Sequence, residues 1–177
     1  MGTGIGFGLQ NSGLAPIYYS YGWTHVSADH NNLIDTQKIT QIPAVKGYML
    51  TGDADVIKGP GSTGGDLVQL RSGGLVRIKV TLPTNGPAYR MRIRYANNSP
   101  ASLGVDCHFP GNTLESDQYD IPATYTGGNL TYNAFAYQDT LLLPATTNER
   151  VAEIYVSSSF NSSNNKIIID KIEFIPM

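Results

Sequence analysis

The sequence predicts an all-β fold, a two-sheet antiparallel β-sandwich of Greek-key or jelly-roll type. Short stretches rich in Val, Ile, Tyr and Thr follow one another from Ile17 to the C-terminus. Turn-forming clusters separate them: PAVKG, KGPGSTGGD, RSGG, LPTNGP, ANNSP, FPGN and TGGN. No helical period runs between the stretches, so the alternation of strand and helix that builds parallel sheets is missing. The 177 residues are enough for one domain, and roughly seven to nine short strands at this spacing make two packed sheets.

In chain order, residues 1–16 read as a tail or the end of a preceding domain, and 17–177 as the sandwich. MGTGIGFGLQNS is rich in Gly without sustained apolar periodicity, and its G-x-G spacing has neither the strand before nor the helix after that a dinucleotide loop requires. At most one helical turn is expected, within Asp29 to Thr36. Strands are expected at Ala54–Lys58 and Asp66–Leu70. The clearest is Leu75–Leu82, where Val76, Ile78, Val80 and Leu82 alternate with Leu75, Arg77, Lys79 and Thr81, giving one apolar face. After Asn85-Gly86-Pro87, Tyr89–Tyr95 places Tyr89, Met91, Ile93 and Tyr95 on one face and Arg90, Arg92 and Arg94 on the other. The two strands are expected to pair as antiparallel neighbours. Further strands are expected at Ser102–Phe109, Asn133–Leu143, Arg150–Ser157 and Lys166–Ile175, with Ser157–Asn165 as a hairpin loop. In the last strand strict alternation puts Asp170 on the face of Ile168, Ile172 and Phe174. Either Asp170 points inward and pairs with Arg90, Arg92 or Arg94, or a bulge resets the phase and leaves it solvated.

Composition narrows the function. A net charge of −2 with 15% charged residues gives no basic field, so no nucleic-acid partner is expected. No apolar run approaches the ~18 residues of a membrane span, and the start lacks signal-peptide features, so a soluble chain is expected. Cys107, the lone cysteine, has no disulfide partner within the chain.

Catalytic and metal motifs are equally thin. His25 and His30 have the wrong spacing for a helical zinc pair. Asp53 and Asp55 lack the Gly and closing Glu of a calcium loop. Gly59–Asp66 has the composition of a phosphate loop but no lysine after its last glycines, and reads as a turn with positive-φ glycines. There is no G-x-S-x-G elbow, and Cys107 and His108, adjacent on a strand, point to opposite faces. The sequons at Asn97, Asn129 and Asn161 are treated as chance. No enzyme activity, cofactor or metal is expected.

Several segments together resemble a known family. YSYGWTHVSADHNNLI, ITQIPAVKG, VIKGPGSTGGDLVQL, YRMRIRYA and IIIDKIEFIP lie in order between Tyr18 and Pro176. They are similar in order and spacing to the C-terminal third domain of the three-domain crystal delta-endotoxins, the Cry insecticidal toxins of spore-forming bacilli. The resemblance implies a jelly-roll sandwich similar to galactose-binding and other carbohydrate-binding modules. It implies recognition of a carbohydrate or glycoprotein receptor on the target gut-cell membrane, together with protection of the toxin core from proteolysis. The implied partners include the pore-forming and β-prism domains of a full-length toxin, for which 177 residues have no room, so the chain by itself should form no pore. The implied setting is a parasporal crystal inclusion, with action outside the bacterium at the host cell surface after solubilisation.

Ile39–Lys46, Gly59–Asp66 (with Asp66) and Ile169–Phe174 (with Asp170) match the family's structural blocks. Arg90, Arg92 and Arg94 match its Arg-rich strand, tied to domain contacts and toxin function. An insertion that builds an N-acetylgalactosamine pocket in one branch is missing, because only Arg71–Gly74 separates LVQL from the next strand. A glycan site needs fixed polar groups and an aromatic face. The loops that could supply them hold Asn97, Asn98 and Ser99; His108 to Asn112; and Asn129 to Gln138 with Tyr132 and Tyr137. Trp23 reads as a packing anchor.

Overall fold

The computed structural model describes residues 31–49, 53–61, 66–83, 86–99, 103–108, 116–143, 148–156 and 166–177. The tail, Trp23, His25, His30, Asn112 and the Ser157–Asn165 loop lie outside them. The strands are β1 (Asn31–Leu33), β2 (Thr40–Pro43), β3 (Tyr48–Met49), β4 (Ala54–Lys58), β5 (Asp66–Arg71) and β6 (Leu75–Leu82). They continue as β7 (Tyr89–Asn97), β8 (Leu103–His108), β9 (Ser116–Ile121), β10 (Ala136–Leu143), β11 (Asn148–Val156) and β12 (Lys166–Pro176). Single 3-10 turns at Ala44–Lys46 and Tyr132–Ala134 are the only helical pieces among the described residues.

Two six-stranded sheets form the sandwich. One has the order β1-β6-β11-β8-β9, with β3 beside β1 on the same edge of β6; the other has the order β10-β7-β12-β5-β4, with β2 beside β5 on β12. All pairs are antiparallel except β1 with β6. From β5 to β8 successive strands change sheet, which is how a jelly roll closes its core from both sides. Arg71 to Gly74 makes one such crossing, with Gly73 at φ +77° and the Gly74 amide donating to the Arg71 carbonyl at 2.7 Å.

The strands β6 and β7 are not neighbours, contrary to the hairpin expected from their sequence. The edges of β6 are taken by β11 and by β1 with β3, and those of β7 by β10 and β12. Their apolar faces meet instead across the core, where Val76, Ile78, Val80 and Leu82 join Tyr89, Met91, Ile93 and Tyr95 in one buried cluster. Burying each such side chain contributes about 1.5–3 kcal/mol, and facing one another serves that burial as well as lying side by side.

Other departures have local causes. Asn31–Leu33 is a strand rather than a helical turn. The strand β9, SDQYDI, has no apolar run because it is a sheet edge: Asp117, Gln118 and Asp120 are exposed, while Ile121 is fully buried. The stretch expected as a strand from Asn133 starts at Ala136, after the 3-10 turn. Gly59 and Gly61 do not have positive φ; a Cβ on Gly61 would lie 2.5 Å from Asp170 Oδ1, so close approach is what requires glycine there.

Candidate functional site

The site grows from the two-residue period of β7. With Met91, Ile93 and Tyr95 committed to the core, Arg90, Arg92 and Arg94 must lie on the outer face of the sheet, between β10 and β12. The register sets Lys171 opposite Arg94 and Glu173 opposite Arg92 on β12, and Tyr137 opposite Arg94 and Asp139 opposite Arg92 on β10. Three ion pairs follow: Arg90 Nη1 to Asp139 Oδ2 at 3.1 Å, Arg92 Nε to Glu173 Oε2 at 2.5 Å, and Arg94 Nη1 to Asp170 Oδ2 at 2.9 Å.

Asp170 fulfils both alternatives in part. The β12–β7 register slips between Ile169 and Lys171, so the strand does reset its phase. Ile167 and Ile169 face the core before the slip, and Ile172 and Phe174 after it. The bulge does not leave Asp170 in water, because it is fully buried on the other side of the sheet and paired with Arg94. At this same residue β12 changes partner, from β5 through Ile169 to β2 from Lys171 onward, and Gly61 closes over the carboxylate.

A flap formed by residues 122–135 keeps that pair dry. Tyr125, Leu130, Ala134 and Phe135 pack on Leu67, Ala96 and Ile168 as a second small core. Asn97 pins the flap. Its Nδ2 donates to the Ile121 carbonyl at 3.0 Å, its Oδ1 accepts from the Ser99 amide at 2.8 Å, and its backbone amide donates to Thr124 Oγ1 at 2.9 Å. Asn97 is fully buried and Ser99 nearly so, which removes both from the candidate glycan contacts. Short turn-forming residues look alike in sequence whether they face water or satisfy buried backbone.

Beyond the flap the surface is aromatic and charged. Tyr132 is 58% exposed and Tyr137 47% exposed. The Arg94 guanidinium lies 4.6 Å from the Tyr132 ring centre and 4.4 Å from that of Phe135; Arg92 lies 4.4 Å from Tyr137. Arg94 Nη2 also donates to the Tyr132 carbonyl at 3.3 Å. Each tyrosine therefore rests on a guanidinium, a contact worth about 0.5–2 kcal/mol that fixes the ring.

Lys171 adds a second cation beneath Tyr137. Its Nζ is 2.7 Å from Glu173 Oε1, 3.0 Å from Gln41 Oε1 and 5.6 Å from the Tyr137 ring centre. Burial works against its charge, but Glu173 and Tyr137 outweigh burial and raise its pKa. Burial likewise opposes ionisation of Glu173, yet Lys171 and Arg92 hold its pKa below the ordinary value. Lys171, Glu173, Asp139 and Phe135 were not singled out from the sequence, although charges at alternate positions in DKIEFIP were a signal for them.

The remaining candidates are dispersed. Asn98 is half-buried, and Gln138 is half-buried with Nε2 donating to the Asp139 carbonyl at 2.8 Å. His108 ends β8 opposite Ser116, in the other sheet. Asp66 pairs with Lys58 across the β4–β5 ladder. Asp55 pairs with Arg71 at 2.6 Å, and among the described residues no group of three His, Cys, Asp or Glu is placed to hold a metal.

A two-sheet antiparallel sandwich of this topology is a jelly-roll domain. Part of a Phanerochaete chrysosporium exo-β-1,3-galactanase shares the fold, with a TM-score of 0.58 and 24% identity over 77% of this chain and 29% of that one. The chain belongs to the delta endotoxin family: residues 39–177 match the C-terminal domain of these proteins, the third domain of the insecticidal crystal toxins. The pesticidal crystal protein Cry4B protoxin of Bacillus thuringiensis subsp. israelensis is 39% identical over 89% of this chain and 15% of its own length. The tryptic core variant of Bacillus thuringiensis Cry1Da has a TM-score of 0.68 and 32% identity, covering 83% of this chain and 25% of that one. The chain thus spans about a seventh of the protoxin it matches and a quarter of the toxin core.

Proposed function

We propose that this domain recognises a glycan or glycoprotein on the target gut-cell surface, as one part of a longer crystal toxin, and neither catalyses a reaction nor forms a pore by itself. The observation that carries this reading is the pair of half-exposed rings, Tyr132 and Tyr137, each held from below by an arginine. Arg92 and Arg94 are two residues apart, so their positions are about 7 Å apart along the strand. Fixed aromatic faces bind the apolar side of a sugar ring with little ordering cost, and the neighbouring Gln41, Asp139 and Arg90 supply polar partners for hydroxyls. The galactanase crystal holds galactose, but at 24% identity the fold alone is shared with it. Its crystal-protein relatives support storage in a parasporal inclusion and action at the host cell after solubilisation.

The test is a glycan array on the folded chain, followed by calorimetric titration of the hits. Tyr132→Ala and Tyr137→Ala should each weaken binding at least tenfold while the circular dichroism spectrum stays unchanged. Undiminished binding by both variants would refute the site.

A second reading, a packing and protective role in the longer toxin, is favoured by a different observation. Leu142 and Met177 are 59% and 62% exposed. Leu142 and Ile175 both lie opposite Arg90, and Ile39 precedes the Thr40–Phe174 pair, so the apolar residues gather at one end of the same sheet. On this reading Leu142→Ser in the longer protein lowers its protease resistance without touching sugar binding; unchanged resistance would count against it.

A further inference from the structure

Among the described residues, the cations of the outer face outnumber its carboxylates directly beneath one aromatic platform. Arg90 has Asp139 and Arg94 has Asp170, but Arg92 and Lys171 share the single carboxylate of Glu173. The other partners of Lys171, the amide of Gln41 and the phenol of Tyr137, carry no carboxylate. Glu173 is almost fully buried, whereas Arg92 keeps about a third of its side chain in solvent. Both cations lie under Tyr137, at 4.4 and 5.6 Å from its ring centre. A cation behind the ring draws its electron density away from the free face, so a second cation in front is disfavoured and an anion favoured. A neutral surface would have needed only one more carboxylate.

We infer that the ligand of this face is an acidic sugar, its ring stacked on Tyr137 and its carboxylate drawn to the Arg92–Lys171 pair. This rests on the recognition reading above and deepens it by naming the chemical class. A single charge about 6 Å from a carboxylate at a half-exposed site, where the effective dielectric constant lies between the values for a protein surface and bulk water, corresponds to about a tenfold preference over the neutral sugar. Most of it should disappear as salt shortens the screening length.

The experiment is calorimetric titration of the chain with sialyllactose and with lactose, at low and high salt. Sialyllactose should bind about tenfold more tightly at low salt, with the preference shrinking at high salt. Lys171→Met, which leaves Glu173 to Arg92 alone, should abolish the preference, bringing the ratio of sialyllactose to lactose affinity down to about one. The exposed Asp139 is a safer second position: D139N removes a negative charge from the face, leaves Arg90 without its carboxylate and should tighten sialyllactose two- to threefold. Equal affinity for the two sugars, or a preference indifferent to both variants, overturns the inference and leaves glycan recognition standing. Equally tight binding to phosphatidylserine vesicles without sugar also overturns it, because a lipid phosphate and carboxylate would then suffice. An array without hits overturns the recognition reading and this inference together.

Discussion

Removing the charge of Asp170 tests the architecture beneath the candidate site. Asp170→Asn keeps the shape of the side chain but strips the Arg94 guanidinium of its carboxylate at a position where Arg94 is 5% exposed and Asp170 fully buried. The carbonyl of Tyr132 at 3.3 Å and the two aromatic rings remain as neighbours, and none carries a compensating charge. Breaking a buried pair by neutralising one partner costs about 3–5 kcal/mol. That is a large share of the roughly 5–15 kcal/mol that holds a domain folded. At about 2–4 °C per kcal/mol for a chain of this size, the melting temperature should fall by about 6–20 °C. Urea unfolding followed by circular dichroism gives the free energy directly. The double variant R94M/D170L, which replaces both charges by apolar groups of similar bulk, should be more stable than D170N. A loss below about 1 kcal/mol in D170N, or a double variant as damaged as the sum of its singles, would refute the account of a dry pair sealed by the flap.

Other outcomes follow from the same geometry. Asn97→Ala leaves the Ile121 carbonyl and the Ser99 amide without their side-chain partners in a buried position, so it should cost about 2–3 kcal/mol in urea unfolding. Asn97 does not reach the surface, so any loss of sugar affinity in the folded variant should come through the flap it pins and be smaller than that of Tyr132→Ala. Burial raises the pKa of Tyr89, Tyr95, Tyr119 and Tyr125 above the ordinary value of 10.0, with help from Asp35 at Tyr89 and from Asp117 and Cys107 at Tyr119. The folded chain then keeps phenol protons that the unfolded chain releases. Their contribution to stability is whole below pH 10 and is lost as the pH climbs through the raised values. The decline should reach up to about 1.4 kcal/mol per pH unit for each of the buried Tyr89 and Tyr95. During an alkaline titration the tyrosinate absorbance of these four phenols should rise only together with loss of the β signal; a full phenolate signal from a still-folded chain would contradict it.

Much of the sandwich was legible in the chain. Alternation in LVRIKVTL and YRMRIRY assigns each side chain to a face because strand side chains have a period of two, a local property that survives without knowing the partner strand. The same period put the arginines outside the core, and the possible pairing of Asp170 could be written down with its alternative. Turn composition marked most strand ends, while the polar edge strand β9 escaped because it buries too little to show a pattern.

Partner choice was decided only in three dimensions. Face assignment is the same whether β6 and β7 lie side by side or oppose one another, so nothing local distinguished a hairpin from a crossing between sheets. The competition was settled by β11 and β12, strands some seventy to eighty positions away, whose edges offered better pairings. The bulge at Asp170 likewise depends on β5 and β2 sharing one edge of β12. Tyr132 and Tyr137 become a surface only because β10 lies on β7, bringing rings and guanidinium groups about forty positions apart into contact. A residue's own neighbours in sequence set its face and propensity; the charge balance around Glu173 belongs to the assembled sheet.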